Sequence, residues 1–197
     1  MSIMAAEEPV TLKEVQLRLG VPQHVLIHLC EKGVIEPDFA ETSGRGKRRE
    51  FSQRNVFEFA VALVLRGFEI PVANTAMLVR LLRSFARGIS KALPGFAFPD
   101  ALLDTDLELA LHVYDGDLLV LAGRGGPLRR HLFLSAKLSE RSSVVKLDEL
   151  PRKFQARLEI DLSEIARRTF IAACSNDRRR LLSERGRSSG SSRRRSN

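Results

Sequence analysis

Two short amphipathic segments joined at a glycine stand near the start of the sequence, and they narrow what this chain can fold into. Thr11 precedes the first segment and Glu14 lies three residues later, which is the pattern of a capping box at the start of a helix. Gly20 ends this helix, because glycine readily adopts the left-handed conformation that closes helices. Pro22 begins a second helix, whose first turn needs no backbone donor, and Gly33 closes it. The sequence therefore predicts a helix-turn-helix.

The second helix, Pro22–Lys32, has two chemically different faces. Its apolar face consists of Val25, Leu26, Leu29 and Cys30. Its other face consists of Gln23, His24, Ile27, His28 and Glu31. His24 and His28 lie four residues apart, a spacing that suits a metal ion, but no third ligand is nearby. We therefore expect either contact with DNA or simple exposure for the two histidines, and no metal site.

An extended stretch with a basic cluster follows the second helix. Arg45, Lys47, Arg48 and Arg49 stand in it before Phe51, which predicts a hairpin with a cationic tip. A cluster of charges is most often a solvated loop, but a place directly after a helix-turn-helix favours contact with DNA phosphates or with the minor groove. Local clustering matters here because the first 90 residues carry 12 Lys/Arg against 10 Asp/Glu, so their overall charge attracts DNA only weakly.

Two longer helices are predicted after this hairpin. Ser52 is a suitable N-cap for the first, which Gly67 terminates, and the second runs from Pro71 to about Ser90. In the second helix, apolar residues recur at intervals of four, three and four, as in a coiled-coil seam: Leu78, Leu82, Phe85 and Ile89. Pro94 breaks the chain soon afterwards, so only two heptads are available. Both a seam in a homodimer and packing within the domain explain this stripe.

In their order and spacing, these segments resemble the DNA-binding domain of MerR-type bacterial transcription regulators. The resemblance covers residues 10–93 and rests on Thr11-Leu-Lys-Glu-Val, Leu19-Gly-Val-Pro, Leu26, Glu31-Lys-Gly-Val-Ile-Glu-Pro37, Arg49-Glu-Phe51-Ser and Leu65-Arg-Gly-Phe-Glu-Ile70. It implies a winged helix-turn-helix in which the second helix and the wing contact DNA. The DNA-binding residues expected on these grounds are Thr11, Gln23, His24, Ile27, His28, Arg45, Lys47, Arg48 and Arg49. The family usually has arginine and tyrosine where this chain has Ile27 and His28.

Beyond these helices we expect a linker over residues 94–106 and a small α+β domain over residues 107–175. Alternating apolar side chains predict its first strand: Leu107, Leu109, Leu111 and Val113. Asp115-Gly116 is a strong hairpin signal before the apolar run at 118–122. Further strands are predicted at His131–Ser135, Val144–Leu147 and Phe154–Ile160, and a helix that starts at Ser163 and continues to Ala173. In a regulator, this domain would bind an effector or a protein partner.

No catalytic arrangement is recognisable in the sequence. Gly123-Arg124-Gly125-Gly126 lacks the Gly-Lys-Ser/Thr of a phosphate-binding loop, so the glycines indicate a turn. Neither a Ser/His/Asp set nor a carboxylate pair is visible, and we expect no enzyme activity, no cofactor and no metal site. The tail, residues 176–197, is rich in arginine and serine and is predicted to be disordered. Such a tail either holds DNA phosphates non-specifically or keeps the protein in solution.

Taken together, the sequence predicts an α+β fold, with a mainly α winged helix-turn-helix followed by a strand-rich domain and a basic tail. Cys30 and Cys174 suggest no disulfide framework and favour a reducing compartment. No secretory signal is recognisable, and charges interrupt the apolar region Val56–Leu82, so we expect a cytoplasmic protein without a membrane partner. The expected function is that of a sequence-specific transcription regulator on double-stranded DNA. The alternatives are an architectural or excisionase-like DNA-binding factor and a winged-helix module that binds protein.

Overall fold

The computed structural model describes residues 8–39, 49–92, 96, 98–103, 106–125, 128–137 and 154–170. Several sequence predictions lie outside these described residues. They include the basic residues Arg45, Lys47 and Arg48, the strand at Val144–Leu147, the end of the last helix at Ala173, Cys174 and the tail over 176–197.

Helices and strands are mixed along the chain, consistent with the predicted α+β class. In order they are β1 (Val10–Thr11), α1 (Leu12–Leu19), α2 (Gln23–Glu31), β2 (Glu50–Phe51), α3 (Gln53–Gly67), α4 (Val72–Ala92), a short 3-10 helix (Asp100–Leu103), β3 (Glu108–Tyr114), β4 (Leu118–Gly125), β5 (Leu128–Lys137), β6 (Arg157–Asp161) and α5 (residues 162–170). β5 extends beyond the predicted strand His131–Ser135 in both directions, and β6 begins at Arg157 instead of Phe154. Among the described helices, none has the length and apolar composition needed to cross a membrane.

The predicted caps at Thr11, Gly20 and Ser52 are confirmed, whereas Gly67 is the last helical residue of α3 and the left-handed residue that follows the helix is Glu69, with a φ of 58°. The Thr11 hydroxyl accepts a hydrogen bond from the Glu14 N–H at 3.3 Å, and the Glu14 carboxylate accepts one from the Thr11 N–H at 2.7 Å. This is a capping box, and it satisfies two backbone donors that the helix itself leaves free. Gly20 closes α1 with a φ of 66°. Ser52 and Asn55 form a second capping box at the start of α3.

The start of α5 differs from its prediction by two residues. The cap is Asp161 and not Ser163, because the Asp161 carboxylate accepts a hydrogen bond from the Glu164 N–H at 2.8 Å. Ser163 is instead fully buried, and its hydroxyl accepts a hydrogen bond from the Leu109 N–H at 2.9 Å. This bond ties α5 to β3.

The described strands form two antiparallel sheets. In the small sheet, β1 pairs with β2 so that Val10 lies opposite Phe51, and Phe39 forms an additional bridge to Glu50. The larger sheet has the strand order β5-β4-β3-β6. The predicted hairpin at Asp115-Gly116 connects β3 to β4, whose register pairs Tyr114 with Leu118. Asp115 and Gly116 have positive φ values, 49° and 73°, and the Asp117 N–H closes the turn by donating to the Tyr114 carbonyl at 3.0 Å.

Helices α3 and α4 lie between two hydrophobic clusters. One cluster joins them to α1, α2 and the small sheet through Val15, Leu26, Leu29, Phe51, Phe59, Ala62 and Val79. The other joins them to the four-stranded sheet and α5 through Phe57, Val61, Leu65, Leu82, Leu109, Leu111, Leu121, Ile160 and Ala166. The second cluster therefore runs across the linker predicted at 94–106.

The apolar stripe of α4 belongs to the second cluster. Its four residues, Leu78, Leu82, Phe85 and Ile89, are 3%, 2%, 7% and 1% exposed. They pack in one core with side chains of β3, β4 and α5. The stripe therefore belongs to the chain's own core, but this core includes the four-stranded sheet as well as α3, whereas the packing interpretation expected contacts within the N-terminal domain alone. The same four residues are not free to form a coiled-coil seam with a second copy of the chain.

Candidate nucleic-acid interface

Helix α2 carries most of the described residues that were predicted to bind DNA. Gln23, His24 and His28 are exposed to solvent, and Ile27 among them is partly buried. Leu26, on the opposite face, is fully buried in the first cluster. The structure thus has the two faces of α2 that the sequence predicts, and no described residue covers the polar face.

Thr11 and Arg49 come together at the small sheet. Thr11 pairs with Glu50 in the antiparallel register, so Arg49 lies one residue beyond the end of this ladder. The Thr11 hydroxyl also donates to the Glu14 carboxylate at 2.8 Å, in addition to its role in the capping box. Thr11 therefore has a structural role in starting α1, and its contact with DNA stays a prediction.

The basic segment, residues 40–49 with Arg45, Lys47, Arg48 and Arg49, begins and ends at neighbouring positions. Phe39 forms an antiparallel bridge with Glu50, so the chain enters and leaves this segment at adjacent points. The Phe51 ring shares a cluster with Leu26 of α2. The end of the basic segment and the helix with the polar face are consequently anchored in one core.

A network of buried charges, which the sequence reasoning missed, holds the chain between α2 and the basic segment. Glu58 of α3 has a side chain that is only 2% exposed. Arg83 of α4 donates to both of its carboxylate oxygens, from Nε at 2.5 Å and from Nη2 at 2.6 Å. The same Nη2 donates to the Glu36 carbonyl oxygen at 2.7 Å. The signal in the sequence was the single acidic residue inside the apolar run Val56–Ala62.

Asn55 and Asp38 complete the network. The Asn55 side chain donates to the Glu36 carbonyl at 3.0 Å and accepts from the Asp38 N–H at 2.9 Å. The Asp38 carboxylate accepts from Arg54 Nη2 at 2.6 Å and from the Ser52 hydroxyl. Side chains of α3 and α4 thus bind the backbone of residues 36–38. The buried polar atoms of Asn55 and Glu58 have hydrogen-bond partners, which their low-dielectric surroundings require.

Burial and pairing act in opposite directions on the pKa values of this network. Burial raises the pKa of Glu58 above its usual range, and the guanidinium of Arg83 only partly offsets this. Burial also favours a higher pKa for Asp38, but hydrogen bonds from Arg54 and Ser52 outweigh it and hold the pKa below its usual range. Burial would lower the pKa of Arg83, yet its bonds to Glu58 raise it. Arg83 therefore stays charged.

Comparison with known proteins assigns no family. No protein-family model matches the chain, and no curated protein matches it. Any function proposed for the chain therefore rests on its own residues and their arrangement.

A concave pocket lies on the face of the larger sheet that points away from the helices. Its volume is about 270 Å³, and its lining consists of Glu108, Ala110, His112, Ala122, Gly123, Arg124 and Glu159. Burial lowers the pKa of His112, whose Nδ1 lies 3.6 Å from a Glu159 carboxylate oxygen. Among the described residues, no group of three or more His, Cys, Asp or Glu could hold a metal ion. The pocket falls in the region where an effector was predicted.

Proposed function

We propose that this chain is a sequence-specific DNA-binding transcription regulator of the MerR-like winged helix-turn-helix type. The observation that carries the proposal is the solvent-exposed polar face of α2, formed by Gln23, His24 and His28. The opposite face is fixed in a core through Leu26 and Leu29, which are 0% and 2% exposed. A short helix held in this way presents side chains in a defined orientation, which reading base edges requires.

The N-terminal half of α2 is the part that enters the major groove. Helix N-termini carry partial positive charge, which phosphate-rich DNA attracts, while Glu31 at the other end would be repelled. A Gln23 amide can donate to and accept from an adenine edge. The imidazoles of His24 and His28 supply further donors and acceptors, and Ile27 between them suits a thymine methyl group.

Contacts with the DNA backbone come from the basic segment. Arg49 lies at the end of the small sheet, and Arg45, Lys47 and Arg48 precede it in the sequence. Lysine and arginine bind phosphates without regard to sequence and fix the register of a reading helix. In this arrangement α2 selects the DNA sequence, and the basic segment supplies affinity for the DNA backbone.

Selection of bound duplexes from a random pool tests the proposal. We expect one sequence family to be enriched, and replacement of Gln23 or His28 by alanine to weaken binding to it by about tenfold, the usual worth of a good base contact. The matched control is Gln155→Ala, since Gln155 is also exposed but lies just before β6, where its N–H donates to Asp115 at the turn between β3 and β4. Failure to enrich any sequence, combined with tight binding to a protein, would favour the interaction-module alternative.

The salt dependence of DNA binding tests the role of the basic segment. Each phosphate contact contributes about 0.9 to the slope of log affinity against log salt. Joint replacement of Lys47, Arg48 and Arg49 by alanine should therefore reduce the slope by roughly 2 to 3. Arg124→Ala with Arg157→Ala, which removes exposed charges from the sheet, should leave the slope unchanged. An unchanged slope in the triple variant removes these residues from the interface.

A further inference from the structure

We propose that Glu58 and Arg83 are positioning residues for DNA recognition, which set the path of the chain between α2 and the basic segment. This inference rests on the proposed function and deepens it. Neither residue lies on the exposed face of α2, and Glu58 is 1% exposed. Their effect on DNA would pass through the backbone of residues 36–38.

The geometry of Arg83 shows what the pair holds. Its guanidinium donates to the Glu58 carboxylate from Nε at 2.5 Å and from Nη2 at 2.6 Å, and Nη2 also donates to the Glu36 carbonyl oxygen at 2.7 Å. Glu58 fixes the plane of the guanidinium through this two-point contact, so the donor that meets Glu36 has a defined direction. The ion pair between α3 and α4 therefore holds the backbone at Glu36, in the stretch that follows α2.

Asn55 binds the same short stretch of backbone. Asn55 donates to the Glu36 carbonyl at 3.0 Å and to the Glu58 carboxylate at 3.0 Å, and it accepts from the Asp38 N–H at 2.9 Å. All contacts of Asn55 with residues 36 and 38 are to main-chain atoms. The Asp38 carboxylate adds side-chain contacts with Arg54 and Ser52, and the Glu36 carboxylate pairs with Arg83 at 3.6 Å.

Both parts of the proposed interface are attached to this stretch. α2 ends at Glu31, five residues before Glu36, and Val34 and Ile35 between them are buried. Phe39 follows Asp38 directly and bridges Glu50, the neighbour of Arg49. The core holds α2 in place, so a shift of residues 36–38 would move Phe39 and the start of the basic segment relative to α2.

Stability alone does not explain the pair. Replacement of a buried ion pair by apolar residues of similar volume is often neutral or stabilising, because taking two charges out of water is costly. Apolar side chains could fill the space between α3 and α4, but they cannot donate to the Glu36 carbonyl. Asn55 also donates to this carbonyl, so what Arg83 adds is a second, charged donor that ties residue 36 to α4.

The double variant Glu58→Leu/Arg83→Met separates positioning from stability. We expect it to unfold at a urea concentration close to that of the wild type. The Asp38 amide should exchange its hydrogen faster by about tenfold or more, because opening of this stretch becomes easier. The salt slope of DNA binding should fall by about 1 to 2, as for the loss of one or two phosphate contacts.

A second variant and a control keep the test decisive. Arg83→Lys retains the charge but not the two-point contact with Glu58, and it replaces the double variant if that variant fails to fold. It should change the exchange rate at Asp38 and the salt slope in the same directions, by smaller amounts. Val61→Ala, in the sheet-facing core, should lower stability and leave the DNA salt slope unchanged. Wild-type DNA binding in both network variants would overturn the inference, whatever the exchange rate at Asp38. If the wild type itself binds no DNA, the proposed function fails, while exchange at Asp38 still reports on how firmly residues 36–38 are held.

Discussion

Replacement of Leu82 by alanine tests whether the apolar stripe of α4 is part of the chain's own core. Leu82 is 2% exposed and packs in the cluster between α4 and the larger sheet. The change removes three buried carbon atoms, worth about 2.4 kcal/mol of transfer free energy at roughly 0.8 kcal/mol each. The cavity left behind adds to this, and the free energy of unfolding should fall by about 3 to 4 kcal/mol. For a chain of this length the melting temperature would drop by roughly 6 to 16 °C.

Urea unfolding at two protein concentrations a hundredfold apart supplies the assay. A core within one chain gives the same midpoint at both concentrations. A dimer seam would shift the apparent stability by about 2.7 kcal/mol through mass action. Ser84→Ala is the control, because Ser84 is exposed on the same helix and should change stability by no more than about 0.5 kcal/mol. A loss below about 1 kcal/mol for Leu82→Ala, which is less than the usual cost of such a cavity, would refute the packing argument.

Thr11→Ala removes the capping box and should cost about 1 kcal/mol of stability in thermal unfolding, with a loss below about 0.3 kcal/mol contradicting the cap. Gly125→Ala places a methyl carbon 1.8 Å from the Asp106 carbonyl oxygen, whereas Gly116→Ala has a similar φ and open space around the new methyl group. The Gly125 variant should therefore lower the free energy of unfolding more than the Gly116 variant does. Equal losses in the two variants would contradict this. Because the pKa of Asp38 is held below its usual range, its contribution to stability is present above about pH 3.9, the usual unfolded-state value, and is lost as the pH falls through the lower folded-state pKa. Asp38→Asn should therefore flatten acid unfolding followed by circular dichroism, and an unchanged acid transition would speak against the pairing.

Features that depend on near neighbours in the sequence were predictable. The capping box at Thr11 and the turn at Gly20 each involve residues within four positions of one another. The alternation from Leu109 to Val113 and the hairpin at Asp115-Gly116 likewise follow from local rules, and both are found. The buried and exposed faces of α2 were predictable because helical periodicity assigns them without any knowledge of what the helix packs against.

Features that depend on distant parts of the chain were not predictable. The stripe of α4 has the same spacing whether it meets a second copy of the chain or a sheet, and only the fold shows the sheet. The contact between Glu58 and Arg83 joins residues 25 positions apart, and neither residue type indicates burial. The basic residues before Arg49 lie outside the described part of the chain, so this portion of the interface stays a prediction.

The sharing of α3 and α4 by two hydrophobic clusters has a thermodynamic consequence. A fragment of residues 10–93 would expose apolar side chains such as Leu78 and Phe85 to water, and the sheet alone would lose the helices that cover it. The chain should therefore melt in a single cooperative transition. A small molecule that occupies the pocket near His112 would raise the melting temperature of the whole chain, and the amides of α2 would be protected although the two places share no residue.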